Sequence, residues 1–159
     1  MRYESINNLK RNKGIMFKKR YLITALSILL LIACSDTLWD ELPSPISTFI
    51  TTYYPNSGIS NYKEENNTYY VKIKNGASLV FDSNYDWTQI NGNGVPIPKI
   101  FIFNEMPKIY QYLEARELTS DLMEAKNEPR NIILTFTDFR LEYIKETRDI
   151  RTYTEKPDA

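Results

Sequence analysis

Histidine is missing from all 159 residues, and cysteine occurs once, at Cys34. The first absence removes the commonest general base and the commonest transition-metal ligand together. The second leaves no disulfide to close within the chain, and between them no Ser-His-Asp or Cys-His site can be assembled. Long apolar runs are lacking too. A membrane-spanning helix needs about 20 apolar residues, whereas the longest run, from Tyr21 to Ile32, has 12 and is soon followed by Asp36, Asp40 and Glu41.

That short run is the most informative stretch of the chain. Lys18-Lys19-Arg20 precede it and Leu31-Ile32-Ala33-Cys34 close it, so a cationic start, an apolar centre and a small residue follow in the order of a secretory signal. Cysteine directly after Ala33 adds lipid chemistry: diacylglycerol is attached to the thiol and the chain is cut before it. The expected signal peptide is 1–33, the new N-terminus is Cys34, and the first partner is the membrane, reached through a lipid anchor on that residue. Residues 1–15 are polar, and Met16 is an alternative start. Cleavage leaves thirteen Lys and Arg against nineteen Asp and Glu, a formal charge of −6 hidden by the zero of the full chain. No basic stripe remains, so nucleic acid is excluded as a partner. Residues 34–41 form an acidic tether. Acidic residues just after the lipidated cysteine resemble the signal that sends Bacteroidetes lipoproteins to the cell surface; a solvated linker is the plainer alternative. Asp36-Thr37-Leu38 resembles the Asp-Thr-aliphatic O-glycosylation site of the same bacteria, which makes Thr37 a candidate.

Beyond the tether, Ile46, Phe49, Ile50 and Tyr53 recur at helical spacing until Tyr54-Pro55. Residues 59–65 read as a polar strand, Tyr69, Val71 and Ile73 as the inward face of the next, and Asn75-Gly76 as a hairpin turn into Ser78-Leu79-Val80-Phe81, with a fourth strand at 87–90. The plan recurs 63 residues on: Ile46, Phe49, Ile50 and Ile59 fall on Ile109, Tyr112, Leu113 and Leu122, and Tyr69, Val71 and Ile73 on Ile132, Leu134 and Phe136. After the turn the offset is 62, placing Leu79 on Leu141 and Phe81 on Tyr143. Asp121 and Glu124 fit a helical capping box, yet their counterparts are extended, so Leu122 is expected to open a strand. These elements predict an α+β fold with two tandem copies of a helix followed by antiparallel strands, at about 42–90 and 104–147. One curved sheet would carry the helices on one face, with a turn-rich linker at 91–98 and a polar tail at 148–159.

Leu42-Pro43 before the Phe49-Ile50 helix, Tyr54-Pro55, Asn75-Gly76, and Val80-Phe81-Asp82 followed by Asp86-Trp87 resemble the PepSY-like, or β-lactamase-inhibitor-like, family of Bacteroides-type envelope lipoproteins. The resemblance spans 42–147 and departs in the second copy, where Asp138-Phe139 replaces Asn-Gly. It implies a β-lactamase-inhibitor-protein-like fold and a binding or inhibitory role in the cell envelope, at the outer membrane on its periplasmic or surface side.

Chemistry is sparse. Ser60-Asn61-Tyr62-Lys63 spells the Ser-x-x-Lys of penicillin-recognising enzymes, and Lys74-Asn75-Gly76 approximates their Lys-Thr-Gly, but that chemistry needs a helix start in a much larger fold. Residues 82–86 begin like a calcium loop and then place Trp87 where glycine is required and Asn93 where glutamate is. Glu64 and Glu65 point to opposite faces of a strand. Tyr69, Phe81, Tyr112, Phe136 and Tyr143 are assigned to packing. Tyr62, Tyr70, Asp82, Tyr85 and Asp86 are the candidate binding residues. The expectation is therefore a non-catalytic, lipid-anchored protein that binds an envelope protein or peptide, with no cofactor and no metal; the alternative is a surface glycan-binding accessory whose exposed tyrosines stack on sugars. Intact-mass measurement of the membrane-extracted protein is expected to give a chain that starts at acylated Cys34, and a glycan mass that disappears in Thr37→Ala. An unchanged mass in that variant removes Thr37 as a modification site.

Overall fold

The apolar and polar alternation is resolved into a single antiparallel meander in the computed structural model, which describes residues 37–154. Cys34 and the signal at 1–33 lie outside the described residues. Thr37–Asp40 forms a one-turn helix, α1, in a unit separate from the domain that starts at Glu41. The domain is α+β, with three helices and one open eight-stranded sheet whose spatial order is the order of the chain.

Pro43 and Pro45 pre-set the backbone at the start of α2 (Ser44–Tyr53). Ile46, Ile50 and Tyr53 form its buried stripe, while Ser47, Thr48, Thr51 and Thr52 turn outward and return their hydroxyl protons to carbonyls three or four residues back. Tyr54-Pro55 and a left-handed Asn56 (φ 63°) end it. The strands follow as β1 (Ile59–Glu65), β2 (Thr68–Ile73), β3 (Ser78–Phe81) and β4 (Trp87–Asn91). Two short helices, α3 (Lys99–Glu105) and α4 (Pro107–Ala115), precede β5 (Leu122–Asn127), β6 (Asn131–Phe136), β7 (Arg140–Ile144) and β8 (Ile150–Tyr153).

Register explains the core. Val71, Leu79, Ile90, Ala125, Leu134 and Leu141 pair in succession across six strands, and each is at most 2% exposed. Paired residues share a face, so every second residue of each strand is committed to the same side. A second row runs Tyr69–Phe81–Trp87. On it sits an edge-to-face aromatic cluster: Phe49 of α2 meets Phe81 at 5.2 Å, and Phe101 of α3 meets Trp87 at 5.1 Å and Tyr53 at 5.5 Å. Leu113 of α4 and Phe136 line one cavity. All three helices therefore cover the face that bears the apolar rows.

Several local expectations change. Asn75-Gly76 is not a turn with two positive φ values, since only Asn75 (φ 52°) is left-handed. The paired left-handed turns are Asn66-Asn67 (φ 51° and 60°), which joins β1 to β2, and Asn93-Gly94 (φ 54° and 86°), closed by Val95 N–H on Gly92 O at 3.1 Å. Residues 99–105 form a helix that the sequence pattern hides, because seven residues with four consecutive apolar ones carry no period. The polar tail contains β8, paired Tyr143↔Ile150 and Leu141↔Thr152; an edge strand with one row in solvent is polar by nature. Tyr112 is half-buried beneath the Arg116 guanidinium, 3.9 Å from its ring centre, and so is not a core residue.

Leu134 is fully buried at the middle of the long apolar row. Truncation there removes packing on both neighbouring strands, so Leu134→Ala is expected to lower unfolding free energy by about 2–5 kcal/mol, measured by urea denaturation. A loss below half a kcal/mol would mean the row is not the core.

Candidate functional site

The turn between β3 and β4 collects three of the five candidate binding residues. Asp82 N–H donates to Asp86 O at 2.9 Å and Tyr85 N–H to Asp82 O at 3.0 Å. One carboxylate oxygen of Asp82, Oδ1, accepts from the N–H groups of Asn84 (2.8 Å) and Asp86 (3.0 Å), so half of this carboxylate is used by the turn itself. Among the described residues no three acidic side chains come together as a metal site. Tyr85 is left-handed (φ 66°), at a position that glycine or asparagine normally fills. Its ring lies 5.1 Å from that of Tyr69.

Tyr62 belongs to the same face. It pairs with Val71, and Glu64 pairs with Tyr69, so both point to the helix side of the sheet at its β1 edge. Burial, then the charge of Glu64, then Tyr85 and Glu41 raise the Tyr62 phenol above its ordinary value. The hydrogen bond with Tyr85, followed by burial and Glu64, pushes Tyr69 up to about 12. Tyr70 pairs with Lys63 and Val80 on the opposite face and is 42% exposed. Tyr62 and Tyr85 thus gather around Tyr69 and are half-buried, while Tyr70 stands apart. The three candidate tyrosines form no common platform, which overturns the expectation of a row of rings for stacking on sugars.

Beside the turn opens a cavity of about 590 Å³ that sequence reasoning did not anticipate, lined by Asp82, Asp86, Thr88, Glu105, Glu128 and Lys145 among others. Lys145 is occupied: its Nζ donates to Asn127 Oδ1 and Glu128 O, both at 2.6 Å. Glu105 accepts the phenol proton of Tyr53, which joins α3 to α2. Four carboxylates against one engaged ammonium make this opening acidic. Glu105 could be found only by recognising α3, which puts it one turn after Phe101. Glu128 and Lys145 are separated by 17 residues and meet only because β6 and β7 pair.

Ser60 and Lys63 make no catalytic pair, because the Ser60 hydroxyl donates to Lys72 O at 3.0 Å and the Lys63 ammonium sits 2.6 Å from Glu65. Cys34 lies outside the described residues, and Thr37 is the first residue of α1.

Protein-family models and curated proteins were both searched, and nothing in either matches this chain. Solved structures do match. A candidate periplasmic protein of the DUF2874 family from Bacteroides vulgatus superposes with a TM-score of 0.63 at 18% identity, over 72% of this chain and 92% of that one. A candidate calcium-regulated periplasmic protein from Bacteroides thetaiotaomicron gives 0.58 at 15% identity, over 70% and 91%. A candidate periplasmic protein of unknown function from Bacteroides vulgatus gives 0.58 at 17% identity, over 72% and 93%. At these identities the likeness is one of fold, and it extends over nearly the whole of each neighbour.

Burial, then the hydrogen bond and charge of Glu105, push the Tyr53 phenol up to about 12 from an ordinary 10.0. The folded chain therefore holds this proton more tightly than the unfolded chain does. Its contribution to stability is complete below pH 10 and is lost as pH rises toward 12. Ultraviolet titration of tyrosinate is expected to lose one late-titrating group in Tyr53→Phe; loss of an early one would contradict the contact.

Proposed function

We propose that this chain is a non-catalytic, lipid-anchored protein of the cell envelope that binds a protein or peptide at the acidic end of its sheet. The observation that carries this is the cavity next to the 82–86 turn, where Asp82, Asp86, Glu105 and Glu128 face one opening and the single lysine is already hydrogen-bonded. A basic peptide segment is the partner such an opening suits, since charge complementarity governs the rate and selectivity of encounter. The rigid turn, with its own amides satisfied by Asp82, is preorganised and loses little freedom on binding.

Envelope location draws support from the signal ending at Cys34 and from the fold shared with candidate periplasmic proteins of Bacteroides. Among the described residues no helix is long and apolar enough to cross a membrane, and the proposed anchor is the lipid on Cys34. Membership of the PepSY-like family and an inhibitor-like curved sheet belong to the same proposal. So does the tandem repeat. It is favoured by register irregularities at Ile59/Asn61 and Leu122/Glu124, and by the hydrogen bonds Lys74 N–H to Gly58 O and Thr137 N–H to Asp121 O, all 63 residues apart.

The test is capture of partners from envelope extracts by the intact mature protein and by Asp82→Asn/Asp86→Asn. Asparagine keeps the turn-capping oxygen and removes the charge. The double variant is expected to weaken capture by roughly 0.2–1 kcal/mol per charge, with the difference shrinking at high salt. Equal capture by both proteins at low salt would reject the acidic opening as the binding surface.

A further inference from the structure

Among the exposed large apolar side chains, Val95 (48%), Ile100 (47%) and Phe103 (53%) fall within nine residues of one another in the chain. Ile100 and Phe103 are three apart on α3 and share a face. The Phe103 ring meets Tyr110 of α4 edge-on at 5.2 Å. The other side of α3 is already committed, with Phe101 and Ile102 buried in the core. This helix thus exposes two large apolar side chains beside Lys99, Asn104 and Glu105 while burying two more toward the sheet, whereas a surface helix ordinarily turns a polar face outward. Lys99 lies one turn before Phe103, and no acidic residue occurs from Trp87 to Asn104 in a mature chain that is otherwise acidic.

The tether says what covers this patch. Between Cys34 and the first buried residue of the domain, Leu42, there are seven residues, which span at most about 25 Å when fully extended. A domain of this length is roughly 35 Å across. An acylated Cys34 therefore keeps the domain within one diameter of the bilayer at all times. The lipid on Cys34 supplies the affinity, and a small apolar patch needs only to select which face turns toward the membrane.

We propose that Val95, Ile100 and Phe103 form a membrane-contacting patch that seats the domain on the bilayer holding its own lipid anchor, with Lys99 at the level of the headgroups. Lysine suits that position because its stem can lie along apolar surface while the ammonium stays among phosphates. The inference rests on lipidation at Cys34. It adds an orientation, in which the α3 side of the helix layer meets lipid and the uncovered face of the sheet stays in water.

Acylation consumes the native thiol, so Phe103→Cys introduces the one free thiol of the mature, lipidated chain. It is labelled with a nitroxide in phospholipid nanodiscs and compared with Tyr70→Cys on the uncovered face of the sheet. Collision with oxygen, which concentrates in lipid, and with a water-soluble nickel chelate gives the environment of each label. The expected result is loss of nickel accessibility and gain of oxygen accessibility at position 103, with position 70 remaining aqueous. Equal nickel accessibility at the two positions overturns the proposal. So does shielding of position 103 that persists without lipid and grows with protein concentration, because that marks a second copy as the occupant. Failure of the protein to stay with the nanodiscs refutes the anchor itself, a separate result that takes this orientation with it.

Discussion

Everything in the domain is built on one row of side chains in register. Val71, Leu79, Ile90, Ala125, Leu134 and Leu141 lie side by side across six consecutive strands, and their common face is what the helices cover. With a side-chain period of two, a slip of one residue in any hairpin would send that strand's apolar set into water. The turns must therefore be placed to the residue. Asn66-Asn67 and the turn at 82–86 do this by different means, the first with two left-handed asparagines and the second with an aspartate that caps two amides. The row ends at Tyr62 on one edge and Thr152 on the other, where burial gives way to solvent and polar atoms become affordable.

From that constraint follows the location of the acidic opening. The aromatic cluster of Phe49, Tyr53, Phe81, Trp87 and Phe101 fixes α2 and α3 against β3 and β4. It thereby sets Glu105, at the end of α3, beside the turn that carries Asp82 and Asp86. The carboxylates line one cavity because the aromatic rings are packed, and the phenol of Tyr53 takes part in both arrangements by donating to Glu105. The left-handed Tyr85, a conformation that costs of order 1–3 kcal/mol, holds its ring against that of Tyr69.

How much of this could be read from the residues depended on period. Strands 59–65 and 78–81 were legible to the residue, because the turn residues Asn56-Ser57-Gly58 and Asn75-Gly76 open them and neither carries a helical period. The helix at 99–105 was not, since Ile100, Phe101, Ile102 and Phe103 are apolar without interruption and two of them face outward. Nor was β8, whose Arg151 and Thr152 are exposed at the edge. Within the candidate site, Asp82, Tyr85 and Asp86 were read as a turn because Asp and Asn mark turns, whereas the half-buried, helix-side position of Tyr62 was not legible because β1 is polar almost throughout. Glu105, Glu128 and Lys145 are brought together by strand pairing and helix packing, which local sequence does not encode.

The uncovered face of the sheet bears on where a partner can act. It is knitted by short polar contacts: Glu124 accepts from Gln89 at 3.1 Å and lies 3.3 Å from Lys126, and Glu142 accepts from Asn131 at 2.7 Å and from Tyr153 at 3.0 Å. Such pairs satisfy one another, each contributing modestly in water, while the Arg140 Nε on the same face is buried without a hydrogen-bond partner. The sheet edges are similarly guarded, β1 by Lys63, Glu64 and Glu65 and β8 by its four-residue length and Arg151. Among the described residues, carboxylates gather instead at the cavity beside the 82–86 turn. The outward side of α3 differs from that opening, since it exposes Ile100 and Phe103 beside the cation Lys99. The domain thus carries two surfaces of different character, one lined by carboxylates and one bearing exposed apolar side chains.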